Sequence, residues 1–153
     1  PMGFDIGAVL ANLLLNFAAQ EGWSKDEESR ASYRAYLTQT VKDVWTHFEQ
    51  NFRTLWNEHG VDRVFAAPGY QDYFISNLLR DTVGFTGAKM VRRVIGLAHV
   101  ADIDKIEDAA ARERAQRLAL AIGTAAIRAN RQATSIDELI HIATRAAERG
   151  YAL

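Results

Sequence analysis

The chain has 153 residues, a length typical of one domain with a buried core. Hydrophobic residues make up 48% and charged residues 24%, which excludes the composition of a disordered tail. Lys and Arg number 18 against 19 Asp and Glu, which excludes an overall positive charge that would attract nucleic acid. Cysteine is absent, which excludes disulfides and thiolate metal sites.

The first predicted helix is an apolar stripe over Ile6–Phe17, with its large residues three and four positions apart. Asp5 stands at the expected N-cap position, and Gly22 follows the stripe as a stop signal. Asn12 and Asn16 interrupt the run, which has no basic flank and is shorter than the ~20 residues that span a bilayer. We therefore expect a core helix, no signal peptide or membrane span, and a cytoplasmic protein.

The second predicted helix is long, because an apolar stripe runs from Tyr33 to Trp56 without a helix breaker and ends near Gly60. Its aromatic residues recur at helical spacing, which is typical of a core-facing stripe rather than of a ligand box. These aromatic residues are Trp45, Phe48, Phe52 and Trp56. Residues 61–69 contain Pro68 and Gly69 and are predicted to form a loop.

The next stretch contains several glycines, and we expect one helix to end near Gly84. Another is expected to start at Thr86 and to continue to about His99. Gly87 and Gly96 suggest in addition that two backbones approach closely. A phosphate-binding loop is rejected, because no strand precedes these glycines and the Gly-Lys-Ser/Thr ending is missing.

The last two predicted helices follow a turn over Asp102–Asp108. The alanine-rich face of the fifth helix permits close helix contacts, and Ser135 with Glu138 forms the Ser-x-x-Glu pattern of a capping box before the sixth. With no alternating strand pattern, residues 1–153 are predicted to form one all-α domain of about six helices.

His99 is followed by Asp102 and Asp104, and a histidine near carboxylates can hold a metal or move a proton. The sequence offers no further ligands at this place, so no metal site is expected. The alternative is that His99 and Asp102 cap the ends of neighbouring helices.

Arg92 and Arg93 are adjacent on an apolar-faced helix, and adjacent helical residues diverge by about 100°, so one of them must flank the buried side. Either one arginine pairs with a carboxylate of another helix, or their guanidinium groups bind an anion or the hydroxyls of a polar ligand. Spacing alone leaves both alternatives open.

Three stretches of the chain are distinctive. The longest, at 81–108, reads DTVGFTGAKMVRRVIGLAHVADIDKIED; the others are PMGFDIGAVLANLLL at 1–15 and IDELIHIA at 136–143. Together they resemble S-methyl-5-thioribose kinases. The resemblance implies the helical C-terminal lobe of a protein-kinase-like fold, shared with aminoglycoside phosphotransferases, in an enzyme that transfers the γ-phosphate of ATP to the 1-hydroxyl of methylthioribose during methionine salvage.

By the same resemblance, Arg92 and Arg93 correspond to the tandem arginine associated with the sugar, and Asp5 to an aspartate that braces the catalytic loop. The His-Gly-Asp catalytic loop and the acidic metal motif are not found, so no catalytic residue is assigned here. We expect a fragment that is inactive alone, with ATP and Mg²⁺ bound mainly by an N-terminal kinase lobe.

A different class of function is also compatible with the sequence. A lobe separated from its partner would leave the first helix poorly covered, and exposed apolar surface favours association. The alternative hypothesis is therefore a free-standing helical interaction module that binds a partner or a second copy of itself as a homodimer.

Overall fold

The computed structural model describes residues 1–150, and every regular element in this part of the chain is helical. The helices are α1 Met2–Trp23, α2 Glu27–His59, α3 Tyr70–Ile95, α4 Ala101–Asp104, α5 Ala109–Ala129 and α6 Ile136–Glu148. Short 3₁₀ turns lie at Arg63–Ala66 and Asn130–Gln132. The all-α prediction is confirmed.

Helix α1 is the centre of the packing and contacts α3, α2 and α5. Leu10, Leu14 and Leu15 have no exposed surface. Helix α1 has 22 residues, and at about 1.5 Å per residue it is long enough and apolar enough to cross a membrane. The sequence argument against a membrane span used only the shorter run Ile6–Phe17 and does not hold for the whole helix. Half of its most apolar window is buried against the other helices, as in a core helix.

The start of α1 differs from the prediction, because the helix begins at Met2 and Pro1 occupies the N-cap position. Asp5 therefore lies within the first turn and is exposed, and it is not the cap. The earlier start is stabilised by packing on α3, where a Cβ added to Gly7 would lie 2.8 Å from the carbonyl oxygen of Thr82. Only a residue without a side chain allows the two helices to approach this closely.

Helix α3 also corrects the prediction, since it continues without interruption past Gly84 and Gly87. Gly87 faces α5, and a Cβ on it would lie 2.5 Å from the carbonyl oxygen of Gly123. These glycines therefore serve helix packing and do not mark a helix end. The expected close approach of two backbones is confirmed at Gly87, whereas Gly96 is the C-cap of α3 and the predicted break at 84–86 is wrong.

The aromatic stripe of α2 lies where the sequence predicts it. Trp45 and Trp56 are buried, and the ring of Phe52 stacks on that of Phe74 of α3 with centroids 5.7 Å apart. The helix begins with a capping box, in which the amide of Ser29 donates to the carboxylate of Asp26 at 2.7 Å. The stripe thus fixes the carboxyl end of α2 against the start of α3.

A buried carboxylate joins three helices. The side chain of Glu21 on α1 is 3% exposed, and it lies 2.9 Å from Arg34 Nη2 of α2 and 3.3 Å from Arg114 Nε of α5. The Arg34 guanidinium also lies 4.6 Å above the ring of Phe17. Opposite charges on separate helices therefore meet around one buried anion.

The cap of α6 is rearranged relative to the predicted box. Ser135 occupies the N-cap position, but its side chain makes no cap hydrogen bond. Glu138 instead accepts from the backbone amide of Thr134 at 2.8 Å and from its hydroxyl at 2.6 Å. These donors stabilise the carboxylate and lower the pKa of Glu138.

Candidate functional site

The carboxyl end of α3 carries three cationic side chains within five residues. Arg92 is exposed and makes no hydrogen bond or ion pair with any residue from 1 to 150. Its side chain lines a depression of about 130 Å³ at the junction of α3 and α1, together with Phe4, Phe85, Ala88 and Lys89. The ring of Phe4 meets that of Phe85 edge to face, with centroids 5.6 Å apart.

Arg93 points in a different direction and is half-buried. Its Nη1 donates to the carbonyl oxygens of Ala98 at 3.0 Å and of His99 at 3.4 Å, so it holds the segment that follows α3. Its Nε is buried and has no hydrogen-bond partner within residues 1–150. Of the two open alternatives, pairing with a carboxylate of another helix is not observed for either arginine in the described chain.

Lys89 is the residue of this site that the sequence reasoning missed. Its Nζ donates to the carbonyl oxygen of Ala8 on α1 at 3.0 Å. Burial lowers the pKa of the Lys89 ammonium, and the positive charges of Arg93 and Arg92 lower it further. The sequence could have predicted that Lys89 lies beside the arginine pair, because it precedes Arg92 and Arg93 by three and four residues and such residues share a helix face.

Asp5 lies near this site through the helix that carries it. Its neighbour Phe4 lines the same depression as Arg92, which brings the amino end of α1 beside the carboxyl half of α3. The Asp5 carboxylate is exposed and makes no contact with another polar group among residues 1–150. It is therefore available to accept hydrogen bonds from a partner segment.

The His99 region provides only a pair of side chains. His99 Nδ1 lies 3.4 Å from Asp104 Oδ1, and both side chains are nearly half exposed. Within residues 1–150 no group of three or more His, Asp or Glu side chains could hold a metal ion. Capping by the Asp102 side chain is not observed either, because α4 has no side-chain cap. The backbone carbonyl of Asp102 accepts from Trp23 Nε1 at 2.7 Å.

These features define a helical lobe in which cationic side chains border a shallow depression, without a metal cluster in its described part. The curated relatives that it matches are methylthioribose kinases, which confirms the resemblance seen in the sequence. Methylthioribose kinase 2 of Oryza sativa subsp. japonica is 37% identical over 151 residues, covering 92% of this chain and 35% of the relative. The Klebsiella pneumoniae enzyme is 39% identical over 140 residues, with the same two shares.

A third relative, the methylthioribose kinase of Yersinia pseudotuberculosis, is 41% identical over 127 residues, covering 83% of this chain and 31% of the relative. No protein-family model matches the chain. The chain is thus similar to methylthioribose kinases over most of its own length and spans about a third of the length of these relatives.

Proposed function

We propose that residues 1–153 form the helical C-terminal lobe of an S-methyl-5-thioribose kinase, a cytoplasmic enzyme that transfers the γ-phosphate of ATP to the 1-hydroxyl of the sugar. The observation that carries this proposal is the identity of 37–41% to such kinases, which extends over up to 92% of the chain. The cationic depression at the junction of α1 and α3 supports it, because it offers free guanidinium donors to a polar ligand.

In this proposal Arg92 binds the substrate directly. Arg93 acts on the sugar through the segment after α3, which its Nη1 holds by hydrogen bonds to two backbone carbonyls. Asp5 accepts backbone amides of the catalytic loop from the exposed first turn of α1. Because residues 1–150 contain no carboxylate cluster for a metal ion, Mg²⁺ and ATP are assigned to the N-terminal kinase lobe, and the chain alone is inactive.

A chimera tests this proposal. The matched third of the Klebsiella pneumoniae enzyme is replaced by this chain, and ATP-dependent phosphorylation of methylthioribose is measured. We expect activity in the chimera and none in the isolated chain. Replacing Arg92 by Met in the chimera should cost about 1.5 to 3 kcal/mol of transition-state binding, or about 10- to 150-fold in kcat/KM. A folded chimera without activity, or an R92M chimera with unchanged kinetics, would contradict the assignment.

A second candidate function, self-association as a helical module, is favoured by one observation. An apolar groove of about 380 Å³ lies between the first turn of α1, the end of α2 and α3, lined by Met2, Phe52, Leu55, Trp56, Phe65 and Phe74. Elsewhere on α1 one face is buried, whereas Phe4, Val9 and Trp23 are 46–53% exposed, so the expectation of a poorly covered first helix holds for the face that carries them. Light scattering at increasing concentration tests this candidate, and a monomer at all concentrations would exclude it.

A further inference from the structure

A cavity of about 460 Å³ lies between α1, α2 and α6. Its lining residue Phe17 is about 20 Å along α1 from Phe4, which lines the depression beside the end of α3. The volume of the cavity falls within the roughly 300–1,000 Å³ that is usual for small-molecule sites. The cavity is therefore large enough for a small organic ligand, and it is separate from the candidate sugar site.

The inner wall of this cavity carries an excess of positive charge. Three guanidinium groups, those of Arg30, Arg34 and Arg114, lie within 4.0 Å of the single buried carboxylate of Glu21. Arg34 is held by the protein, since its Nε donates to the carbonyl of Phe17 at 3.0 Å and its Nη2 to Glu21 at 2.9 Å. The Arg30 side chain makes no hydrogen bond within residues 1–150, and its Nε is buried without a partner. Because a buried donor without an acceptor is unfavourable, Arg30 gains most from an anionic oxygen of a ligand.

Two exposed carboxylates also line the cavity. Glu27 lies in the first turn of α2 and Glu148 is the last residue of α6. Neither side chain makes a hydrogen bond or ion pair within residues 1–150, so they do not neutralise Arg30. A simple anion would be attracted by Arg30 and repelled by these two carboxylates. A ligand that carries an ammonium as well as a carboxylate would satisfy both signs of charge.

Apolar groups line the cavity beside these charges. Phe17 is 1% exposed, and Ala35 and Ala147 add methyl groups to the wall. The hydroxyls of Thr38 and Thr144 donate to backbone carbonyls of their own helices, at 3.0 and 2.6 Å. These two hydroxyls are therefore already used as donors, and the uncharged part of a ligand meets mainly hydrocarbon.

We propose that this cavity binds a free α-amino acid with an apolar side chain. The carboxylate of the ligand accepts from the Arg30 guanidinium, its ammonium pairs with Glu27 or Glu148, and its side chain packs beside the ring of Phe17. Because the lining residues come from three helices, the bound ligand stabilises the packing of α6 against α1 and α2. This inference does not rest on the proposed function, since it uses none of the residues assigned to the sugar.

Isothermal titration calorimetry of the 153-residue chain with L-leucine at pH 7 tests the proposal. Three analogues each lack one part of the ligand: isocaproate lacks the ammonium, isoamylamine lacks the carboxylate, and glycine lacks the side chain. We expect leucine to bind and each analogue to bind about tenfold more weakly or worse. Saturating leucine should also raise the Tm of the chain, because a ligand that binds only the folded state stabilises it.

Substitutions assign the two charged contacts. R30M should weaken leucine binding by about tenfold or more, and R30K, which keeps a charge but not the guanidinium geometry, should lie between R30M and the wild type. The double variant E27Q/E148Q should weaken leucine and isoamylamine but not isocaproate. R145M is the matched control, because Arg145 is exposed on α6, does not line the cavity, and its side chain makes no hydrogen bond or ion pair in the described chain. Circular dichroism of each variant without ligand confirms that it is folded.

The results separate this inference from the proposed function. Leucine binding that is lost in R30M and kept in R145M supports the site, whether or not the chimera phosphorylates methylthioribose. A folded wild-type chain that does not bind leucine would refute the inference and leave the proposed function intact. Isocaproate that binds as tightly as leucine, or an E27Q/E148Q chain with unchanged leucine affinity, would overturn the assignment of the ammonium. Equal losses in R30M and R145M would overturn the role of Arg30.

Discussion

Replacing Arg92 and Arg93 by Met, one at a time, should show that the two adjacent arginines have different roles: Arg92 contacts the ligand, and Arg93 stabilises the fold. Arg93 donates to two backbone carbonyls, at 3.0 and 3.4 Å, whereas Arg92 donates to none within residues 1–150. R93M should therefore destabilise the isolated chain, and R92M should not. Both variants keep an unbranched side chain with good helix propensity, so the helix itself is little affected.

The magnitude follows from the geometry. A hydrogen bond that involves a charged group contributes about 1.5 to 3 kcal/mol, but the 3.4 Å contact is long and both acceptor residues are exposed to water. We expect R93M to lose about 1 to 2 kcal/mol of unfolding free energy. In a chain of this length that corresponds to a fall in Tm of about 2 to 8 °C. R92M should stay within about 0.5 kcal/mol of the wild type.

Thermal and urea unfolding followed by circular dichroism measure the two losses. Hydrogen exchange at residues 98–100 adds a local readout, because the Arg93 contacts hold this segment and should protect it. The reasoning fails if R92M loses as much stability as R93M, or if R93M leaves both the Tm and the exchange of this segment unchanged.

Three further predictions concern the scaffold. G87A should lower stability by about 1 to 3 kcal/mol in urea unfolding, because its Cβ meets a backbone carbonyl of α5, whereas G84A meets only a movable side chain and should be milder. A stabilised G87A would refute the close packing. E21Q should cost about 1.5 to 3 kcal/mol, since it removes a buried negative charge that lies 2.9 Å from Arg34, whereas E113Q at an exposed pair should cost under about 1 kcal/mol; equal Tm losses would contradict this. The lowered pKa of Glu138 contributes stability above its unfolded pKa that is lost as pH falls through the folded pKa, so E138Q should be less stable than the wild type at pH 7 and should converge with it in acid.

Apolar periodicity was sufficient to predict most of the helices. The stripes of α1, α2, α5 and α6 each bury one face, but not every predicted member is covered: Val9 of α1 and Tyr33, Tyr36 and Leu55 of α2 are exposed. The break placed between Gly84 and Thr86 was wrong because a glycine that ends a helix and a glycine that admits a neighbouring helix look alike in sequence. The partner that distinguishes them, Gly123 on α5, is far away along the chain.

The candidate site was predictable in composition but not in geometry. The arginine pair is visible in the sequence, and so is the rule that adjacent helical residues diverge. What the sequence could not provide is the direction of each side chain, which depends on the turn after α3 for Arg93 and on α1 for Lys89. Lys89 makes its contact with a carbonyl 81 residues away, and no local pattern predicts that contact.

If the proposed function holds, the two halves of the reaction can be measured on separate pieces of protein. The proposed function assigns the sugar contacts to this lobe, beside the depression that Arg92 and Lys89 line, and the ATP contacts to the rest of the enzyme. A residue in the depression should then change sugar kinetics and leave the KM for ATP unaffected. A change in the ATP KM of a K89M chimera equal to its change in the sugar KM would show that the cations serve the nucleotide instead.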